Sequence, residues 1–305
     1  MRVLIVGLGS IAKKHISVLR EINPKIEIYA FRSSVNSKKQ KDVIDIYNWD
    51  DLTNYNFYFS IISSPSFNHL DNLIKLQKLK IPIMIEKPLF ISLNQINKFN
   101  DLNLSYNLCY VACNYRFHPL ITYLKDFLKN NSFKINELNV YCGSYLPEWR
   151  KDKDYTKVYS SIKDMGGGVH LDLIHEIDYL VYLFGFPLKT NIINKKVSAL
   201  NIDSVDYSNI LFEYKEFCAQ ITLNYYRKDY KRTLEIVFEN KSILVDFKLG
   251  RIIDLSTNKS IFKVDDFTIY NTYKSQMEYF LNCIRTNQLP MNSLQEASSI
   301  LKLIL

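Results

Sequence analysis

Two short stretches hold the residues that can do proton chemistry. In Ile83-Met84-Ile85-Glu86-Lys87-Pro88-Leu89, an apolar run of β type ends in an acid, a base and a proline. Proline donates no ladder hydrogen bond and pushes the residue before it into an extended conformation. Lys87 thus stands at the carboxyl end of a strand, the edge at which open parallel sheets bind ligands. An ammonium there can stabilise negative charge developing on an oxygen. The second stretch is Gly166-Gly167-Gly168, opening onto Leu171-Asp172-Leu173-Ile174-His175-Glu176-Ile177-Asp178-Tyr179-Leu180. The glycines let the chain turn and approach a ligand closely. Asp172, His175 and Asp178 recur every three residues, which lines them along one side of a helix. An imidazole with an ordinary pKa of about 6.5 suits a general base. Each stretch also fits a plainer role, a solvated charge pair at a strand end and a solvated helix face.

The elements around Lys87 are those of a nucleotide-binding sheet. Val3-Leu4-Ile5-Val6 is a continuous apolar run, as in a strand buried on both faces. Gly7-Leu8-Gly9-Ser10-Ile11-Ala12 follows at once, and Ile11, His15, Val18, Leu19 and Ile22 continue at helical spacing. In this G-x-G-x-x-A pattern Gly7 permits the turn, Gly9 lets a pyrophosphate approach, and Ala12 packs helix on strand. The N–H groups at the helix start, around Ser10 and Ile11, are then placed to bind phosphate. His15 reads as a helix-face residue rather than a catalyst. The second strand, Ile26–Phe31, runs into Arg32-Ser33-Ser34, where an NAD-selective site carries an acid. Arg32 and Ser33 suit a 2′-phosphate, which favours NADP over NAD; a solvated arginine in a polar loop also fits. Residues 35–55 are polar and irregular. A strand at 57–62 ends in Ser63-Ser64-Pro65, a helix runs from His69 to Leu79, and a strand at 81–85 delivers Glu86-Lys87-Pro88. A helix at 92–101 and a strand at 108–113 complete a doubly wound parallel sheet.

Beyond Asn114-Tyr115-Arg116-Phe117-His118-Pro119 the pattern changes. Leu120–Lys129 is amphipathic, Glu137–Gly143 reads as a strand, and a loop rich in aromatics and cations follows. Its Tyr145, Trp149, Arg150 and Tyr159 suit a sugar or base face and an anionic group, or else they pack the edge of a domain. From 190 to 255, β-rich segments alternate with short turns, and 274–286 and 293–305 read as closing helices. The fold expected is α/β: an N-terminal Rossmann domain over 1–118, and over 119–305 an α/β domain with a large open, mainly antiparallel sheet. The C-terminal helices are free to pack back on the first domain.

Composition narrows the function classes. The chain has 305 residues and a formal charge of +8, but no dense run of basic residues with interleaved aromatics, so it does not read as a nucleic-acid binder. Five scattered cysteines, with no second pair at zinc spacing, read as free thiols in a reducing cytoplasm rather than as a metal site. The apolar N-terminus breaks into Gly7-Leu8-Gly9 without a small-residue cleavage site, and no segment approaches the roughly 20 apolar residues of a membrane span. The expected protein is cytoplasmic.

Taken together, Gly7-x-Gly9-x-x-Ala12, Ser64-Pro65 with His69, Glu86-Lys87-Pro88, Asn114-x-Arg116-Phe117-His118-Pro119 and the triple glycine with Asp172, His175 and Asp178 resemble the Gfo/Idh/MocA oxidoreductases. These pieces occur in the family's order over nearly the whole chain. The family commonly places three residues between the aspartate and the histidine, whereas here only Leu173 and Ile174 intervene. The form Asp-Leu-x-His-Glu-x-Asp-Tyr, with Tyr145-Leu146-Pro147-x-Trp149-Arg150, is similar to a subgroup in which the histidine comes a position earlier.

The resemblance implies a bound nicotinamide cofactor and hydride transfer to or from a sugar or cyclitol carbon. It implies Lys87 and His175 as catalytic residues, with Asp172 orienting the substrate or the histidine. Glu86 would fix the lysine or the cofactor ribose. Ser64, Pro65, His69, Glu86, Lys87 and Asn114 would face the cofactor, and Arg116, Tyr145, Trp149, Arg150, Tyr159, Asp172 and His175 the substrate. An activated or nucleotide-linked sugar of surface-glycan synthesis is the expected substrate, with a free sugar or inositol as the alternative. A homodimer or homotetramer is implied, since the open sheet often forms the family's interface. A non-catalytic cofactor-binding regulator and a dinucleotide-dependent glycosidase are other readings on the same scaffold. If Lys87 and His175 are catalytic, Lys87→Ala and His175→Ala should each lower kcat by at least ~100-fold while keeping cofactor affinity within a few-fold. Steady-state turnover beside cofactor titration checks this, and near-normal turnover removes the residue concerned.

Overall fold

Within the computed structural model, residues 1–102 and 108–305 are described. They form two compact units: Met1–Asn114 with Ile269–Leu303 and Leu305, and Tyr115–Thr268 with Ile304.

The first unit contains β1 (Arg2–Val6), α1 (Ser10–Ile22), β2 (Glu27–Phe31), β3 (Ile44–Ile46), β4 (Phe59–Ile62), α2 (His69–Gln77), β5 (Ile83–Glu86), α3 (Leu93–Asp101) and β6 (Cys109–Ala112). The strands pair in parallel in the order β3-β2-β1-β4-β5-β6. Strand order reverses at β1, which pairs with both β2 and β4, and this places the crevice for a ligand outside their carboxyl ends. Strands β4, β5 and β6 are buried along their whole length, as strands covered on both faces of a parallel sheet are. The short β3, absent from the sequence reading of residues 35–55, is a three-residue edge strand too short to show periodicity.

The second unit contains α4 (Pro119–Asn130), β7 (Ile135–Tyr145), α5 (Val169–Asp172), α6 (His175–Phe184) and β8 (Lys189–Lys195). Then come β9 (Tyr207–Glu213), β10 (Cys218–Asn224), β11 (Tyr226–Phe238), β12 (Ser242–Asp246), β13 (Arg251–Asp254) and β14 (Lys259–Lys263). The sheet runs β14-β13-β12-β11-β7-β10-β9-β8 and is antiparallel apart from β7 on β10. Leu138, Val140 and Cys142 of β7, Ala219, Ile221 and Leu223 of β10, and Leu234, Ile236 and Phe238 of β11 are buried at alternate positions. That period of two gives the sheet one core face. Of the cysteines, Cys218 is exposed on β10 and the other four are buried.

The chain then returns to the first unit as α7 (Ile269–Thr286) and α8 (Leu294–Lys302). Asn292, between them, accepts from the Val111 N–H at 3.1 Å and donates from its side chain to the Val111 carbonyl at 2.9 Å. It thereby covers the open edge of β6.

One expected element is broken. The helix carrying Asp172, His175 and Asp178 is two helices, because Leu173 (φ −97°, ψ 30°) leaves helical geometry between α5 and α6. The three residues therefore do not share one continuous face. The glycines before it serve the protein's own packing: a Cβ on Gly167 would lie 2.5–2.7 Å from the carbonyls of Tyr159, Ser160 and Ile162. Gly166 (φ 84°) and Gly168 (φ 146°) supply the left-handed backbone of the turn.

His118 caps α4: its Nδ1 accepts from the Leu120 N–H at 3.2 Å, an office only an unprotonated Nδ1 can perform. Burial, then the charge of Arg232, pushes its pKa down to about 4. Burial likewise pushes His170 down to about 4. A histidine whose folded pKa is depressed stabilises fully above its unfolded value of about 6.5 and loses that contribution as pH falls toward the folded one. Unfolding free energy should fall between pH ~6.5 and ~4, by up to about 1.4 kcal/mol per pH unit for each such histidine. His118→Asn, which keeps a side-chain acceptor at the cap, should flatten part of that slope. Denaturant melts across this pH range measure it, and an unchanged slope would separate His118 from the acid response.

Candidate active site

In the first unit the site is built at the carboxyl edge of the sheet. Gly7 (φ 89°) brings the end of β1 against β4, where an added Cβ would meet the Ser64 Cα at 2.6 Å. Ser63 donates from its Oγ to the Gly7 carbonyl at 2.8 Å and closes the same contact. Gly9 is different, since a Cβ there would meet nothing within 4 Å. It caps α1 without any side-chain hydrogen bond, and no acid lies in the first turn. An open approach to an uncapped helix start, exposed at Ser10, is what a dinucleotide phosphate needs.

His69, at the start of α2, fastens the next two strand ends together. Its Nε2 lies 3.0 Å from the Ser64 carbonyl, and its Nδ1 lies 3.1 and 3.2 Å from those of Pro88 and Leu89. The ring is buried, and burial lowers its pKa against the opposing pull of these carbonyls and of Glu86. Ser64 accepts from Asn72 at 2.8 Å, and Pro65 beside it is exposed. Lys87 is half-buried, with a cis peptide to Pro88.

Three residues expected at the cofactor are committed elsewhere. Arg32 is buried; it donates to Asp45 at 2.9 Å and to the Lys38 carbonyl at 3.1 Å, so its charge is neutralised within the loop it crosses, while Ser33 stays exposed. Asn114 donates to Thr272 of α7 at 2.7 Å. Glu86 is held by His15 at 2.6 Å, a partner the sequence reading had left on a helix face.

The second unit divides the expected substrate residues. Arg116 grips Asp178 in a bidentate pair at 2.8 and 2.9 Å with both side chains 1% exposed, so it is not presented to an anionic substrate. Asp172 accepts from Tyr225 at 2.5 Å, and its charge, after burial, raises the pKa of both Tyr225 and Tyr159. His175 is buried with its ring centre 4.9 Å from that of Tyr115.

Tyr145 and Trp149 line a pocket of about 360 Å³ with Ser144, Lys228, Tyr230 and Arg232. A break in register places two of the strand residues of this wall: Tyr226 pairs with Tyr145 but Lys231 with Gly143, so β11 bulges and re-aims Lys228 and Tyr230. Trp149 donates to Ser144 at 2.9 Å, and Lys228 lies 5.6 Å from the Tyr145 ring centre. Arg150 lines a separate small recess, its guanidinium 5.3 Å from the Tyr159 ring centre. Arg232 donates twice to the fully buried Glu176 and also to Tyr115, so the floor of the pocket is a neutralised ion pair. Neither Arg232 nor Lys228 carried a motif in the sequence. Among the described residues, no cluster of His, Cys, Asp and Glu is arranged to hold a metal ion, and no helix is long and apolar enough to cross a membrane.

Residues 1–112 match the family described as oxidoreductases with an NAD-binding Rossmann fold, the Gfo/Idh/MocA group. This likeness covers the nucleotide-binding part of the chain, a little over a third of its length. Likeness at the level of fold extends over nearly the whole chain. A levoglucosan dehydrogenase in complex with NADH superposes with a TM-score of 0.84 at 14% identity, over 98% of this chain and 94% of that one. The UDP-N-acetylglucosamine 3-dehydrogenase of Acidithiobacillus ferrooxidans gives 0.76 at 15%, over 99% and 94%. In sequence, the glucose-6-phosphate 3-dehydrogenase of Bacillus subtilis is 23% identical over 71% of this chain, and the match spans 63% of that relative's length.

Removing one member of the Arg116–Asp178 pair strands a buried charge. Arg116→Ala should therefore destabilise by about 3–5 kcal/mol, and Lys at this position should not restore the bidentate geometry. Chemical denaturation decides it. A loss below ~1 kcal/mol would mean that solvent reaches the pair.

Proposed function

We propose that the protein transfers a hydride between a nicotinamide cofactor and a secondary alcohol or ketone carbon of a sugar. One observation carries the reading: the open glycine turn after β1 and Lys87 after β5 lie on the same carboxyl edge, separated in the sheet by β4 alone. Two strand spacings are about 10 Å, within the reach of a dinucleotide lying along that edge. When bound, the cofactor supplies the redox chemistry.

The chain's own residues handle the rest. The Lys87 ammonium donates a hydrogen bond to the reacting oxygen and stabilises its negative charge. His175 accepts the hydroxyl proton in the oxidative direction. Asp172 accepts from the hydroxyl of Tyr225, which fixes its carboxylate within the second unit. The preference for NADP over NAD rests on exposed Ser33 and on exchange of the Arg32–Asp45 pair for a 2′-phosphate.

For the substrate, an activated or nucleotide-linked sugar fits the pocket of Tyr145, Trp149, Lys228 and Tyr230, which offers aromatic faces beside a cation. A relative whose name specifies a sugar phosphate points the same way. A free sugar or inositol is favoured by a different observation: Arg116 and Arg232 are neutralised by Asp178 and Glu176, and Glu148 stands in the same pocket as Lys228. A reduction screen with NAD⁺ and NADP⁺, comparing free sugars and inositols with sugar phosphates and UDP-, GDP- and CMP-linked sugars, separates the two. Turnover of an anionic sugar is expected, with Lys228→Ala raising KM more than it lowers kcat, because the contact is common to ground and transition states. Efficient turnover of a neutral sugar with silence from every anionic one would reverse the assignment.

A further inference from the structure

We propose that His15 is a positioning residue which, through Glu86, fixes Lys87 relative to the phosphate-binding end of α1; this rests on the reading of Lys87 and the glycine turn given above. His15 lies in the second turn of α1, whose first turn is the glycine-turn helix start. Its Nε2 meets the Oε1 of Glu86, the last residue of β5, at 2.6 Å, with the two side chains 0% and 11% exposed. The bond joins elements 71 residues apart in sequence and passes over β4, so it spans the two flanks of the crevice.

A bond of that length to a carboxylate needs the proton on Nε2. The other nitrogen, Nδ1, is buried without a hydrogen-bond partner, and the ring of Tyr273 from α7 stands edge-on to the imidazole at 6.0 Å between centres. One imidazole nitrogen is thus left unsatisfied while the other serves Glu86. A pair kept for packing alone would be served as well by apolar side chains, which carry no desolvation cost. What the pair does provide is a fixed carboxylate one peptide before Lys87.

The far side of Lys87 is fixed independently. His69 holds the carbonyls of Pro88 and Leu89 from α2, so the lysine is bracketed by two buried histidines. His15 reaches it from the helix that presents the phosphate site and His69 from the helix that follows β4. Loss of His15 frees only the first of these anchors. The expected result is a displaced Lys87 in a protein that still folds.

The test needs no sugar substrate. The purified chain is reductively methylated with ¹³C, the Lys87 resonance is assigned by its loss in Lys87→Arg, and NADH or NADPH is added. In His15→Phe, which fills the space without a donor, the Lys87 resonance should move from its wild-type position and its response to the nucleotides should be lost. His15→Gln, whose amide nitrogen reaches as far as Nε2, should restore both. Coincidence of the His15→Phe and wild-type lines, with and without nucleotide, would overturn the proposal, and so would failure of His15→Gln to restore them. Should His15→Phe not fold, His15→Asn, whose amide falls short of Glu86, takes its place with the same expected outcome. If neither nucleotide moves the wild-type Lys87 line, the placement of Lys87 at the cofactor fails by itself. The comparison of nucleotide-free lines still decides the role of His15.

Discussion

A carboxylate withdrawn from water must be answered by donors of the protein itself, and this requirement organises both units. Among the described residues Glu86, Asp172, Glu176, Asp178 and Asp206 are buried. Their donors are His15, Tyr225, Arg232, Arg116 and the N–H groups of Val197 and Ser198. An unpaired ion in such a place would cost several kcal/mol or lose its charge. Four of the five therefore staple distant stretches of chain together, and the staples stand close to the residues read as functional. Glu86 adjoins Lys87, and Glu176 adjoins His175. Removing one partner should thus disturb the site and weaken the fold together.

The same requirement explains what the sequence could disclose. Local features were legible: the glycine turn, the buried runs of β4 and β5, and the alternation of β7, β10 and β11 are written within a few residues each. So was the break from β-α alternation into a mainly antiparallel sheet. Partners were not legible. His15 and Glu86 are 71 residues apart, Arg116 and Asp178 62, and Arg232 and Glu176 56, and no periodicity links them. A three-residue spacing was read as one helical face because nothing in Leu173-Ile174 signals a stop. The break is at Leu173, and the carboxylates on its two sides have different partners, Tyr225 for Asp172 and Arg116 for Asp178.

The net charge of +8 shows the same lesson at the scale of the whole chain. Arg32, Arg116 and Arg232 are neutralised by Asp45, Asp178 and Glu176. What the pocket offers an anion is Lys228, brought into its wall by a bulge in β11 rather than by any motif. Formal charge therefore forecasts little about the local potential until the pairs are known.

The first unit is also discontinuous in sequence: α7, Asn292 and α8 belong to it, yet residues 115–268 are made before them. On a ribosome adding roughly 5–20 residues per second, that interval lasts on the order of 10–30 s. Throughout it the nascent parallel sheet has all six strands but lacks the amide that covers the margin of β6 and the helix that covers α1. Vectorial synthesis thus leaves an unpaired strand edge open to a neighbouring nascent chain until Asn292 emerges. Truncation before Asn292 would make that exposure permanent, so the cost of its loss falls on the strands made first.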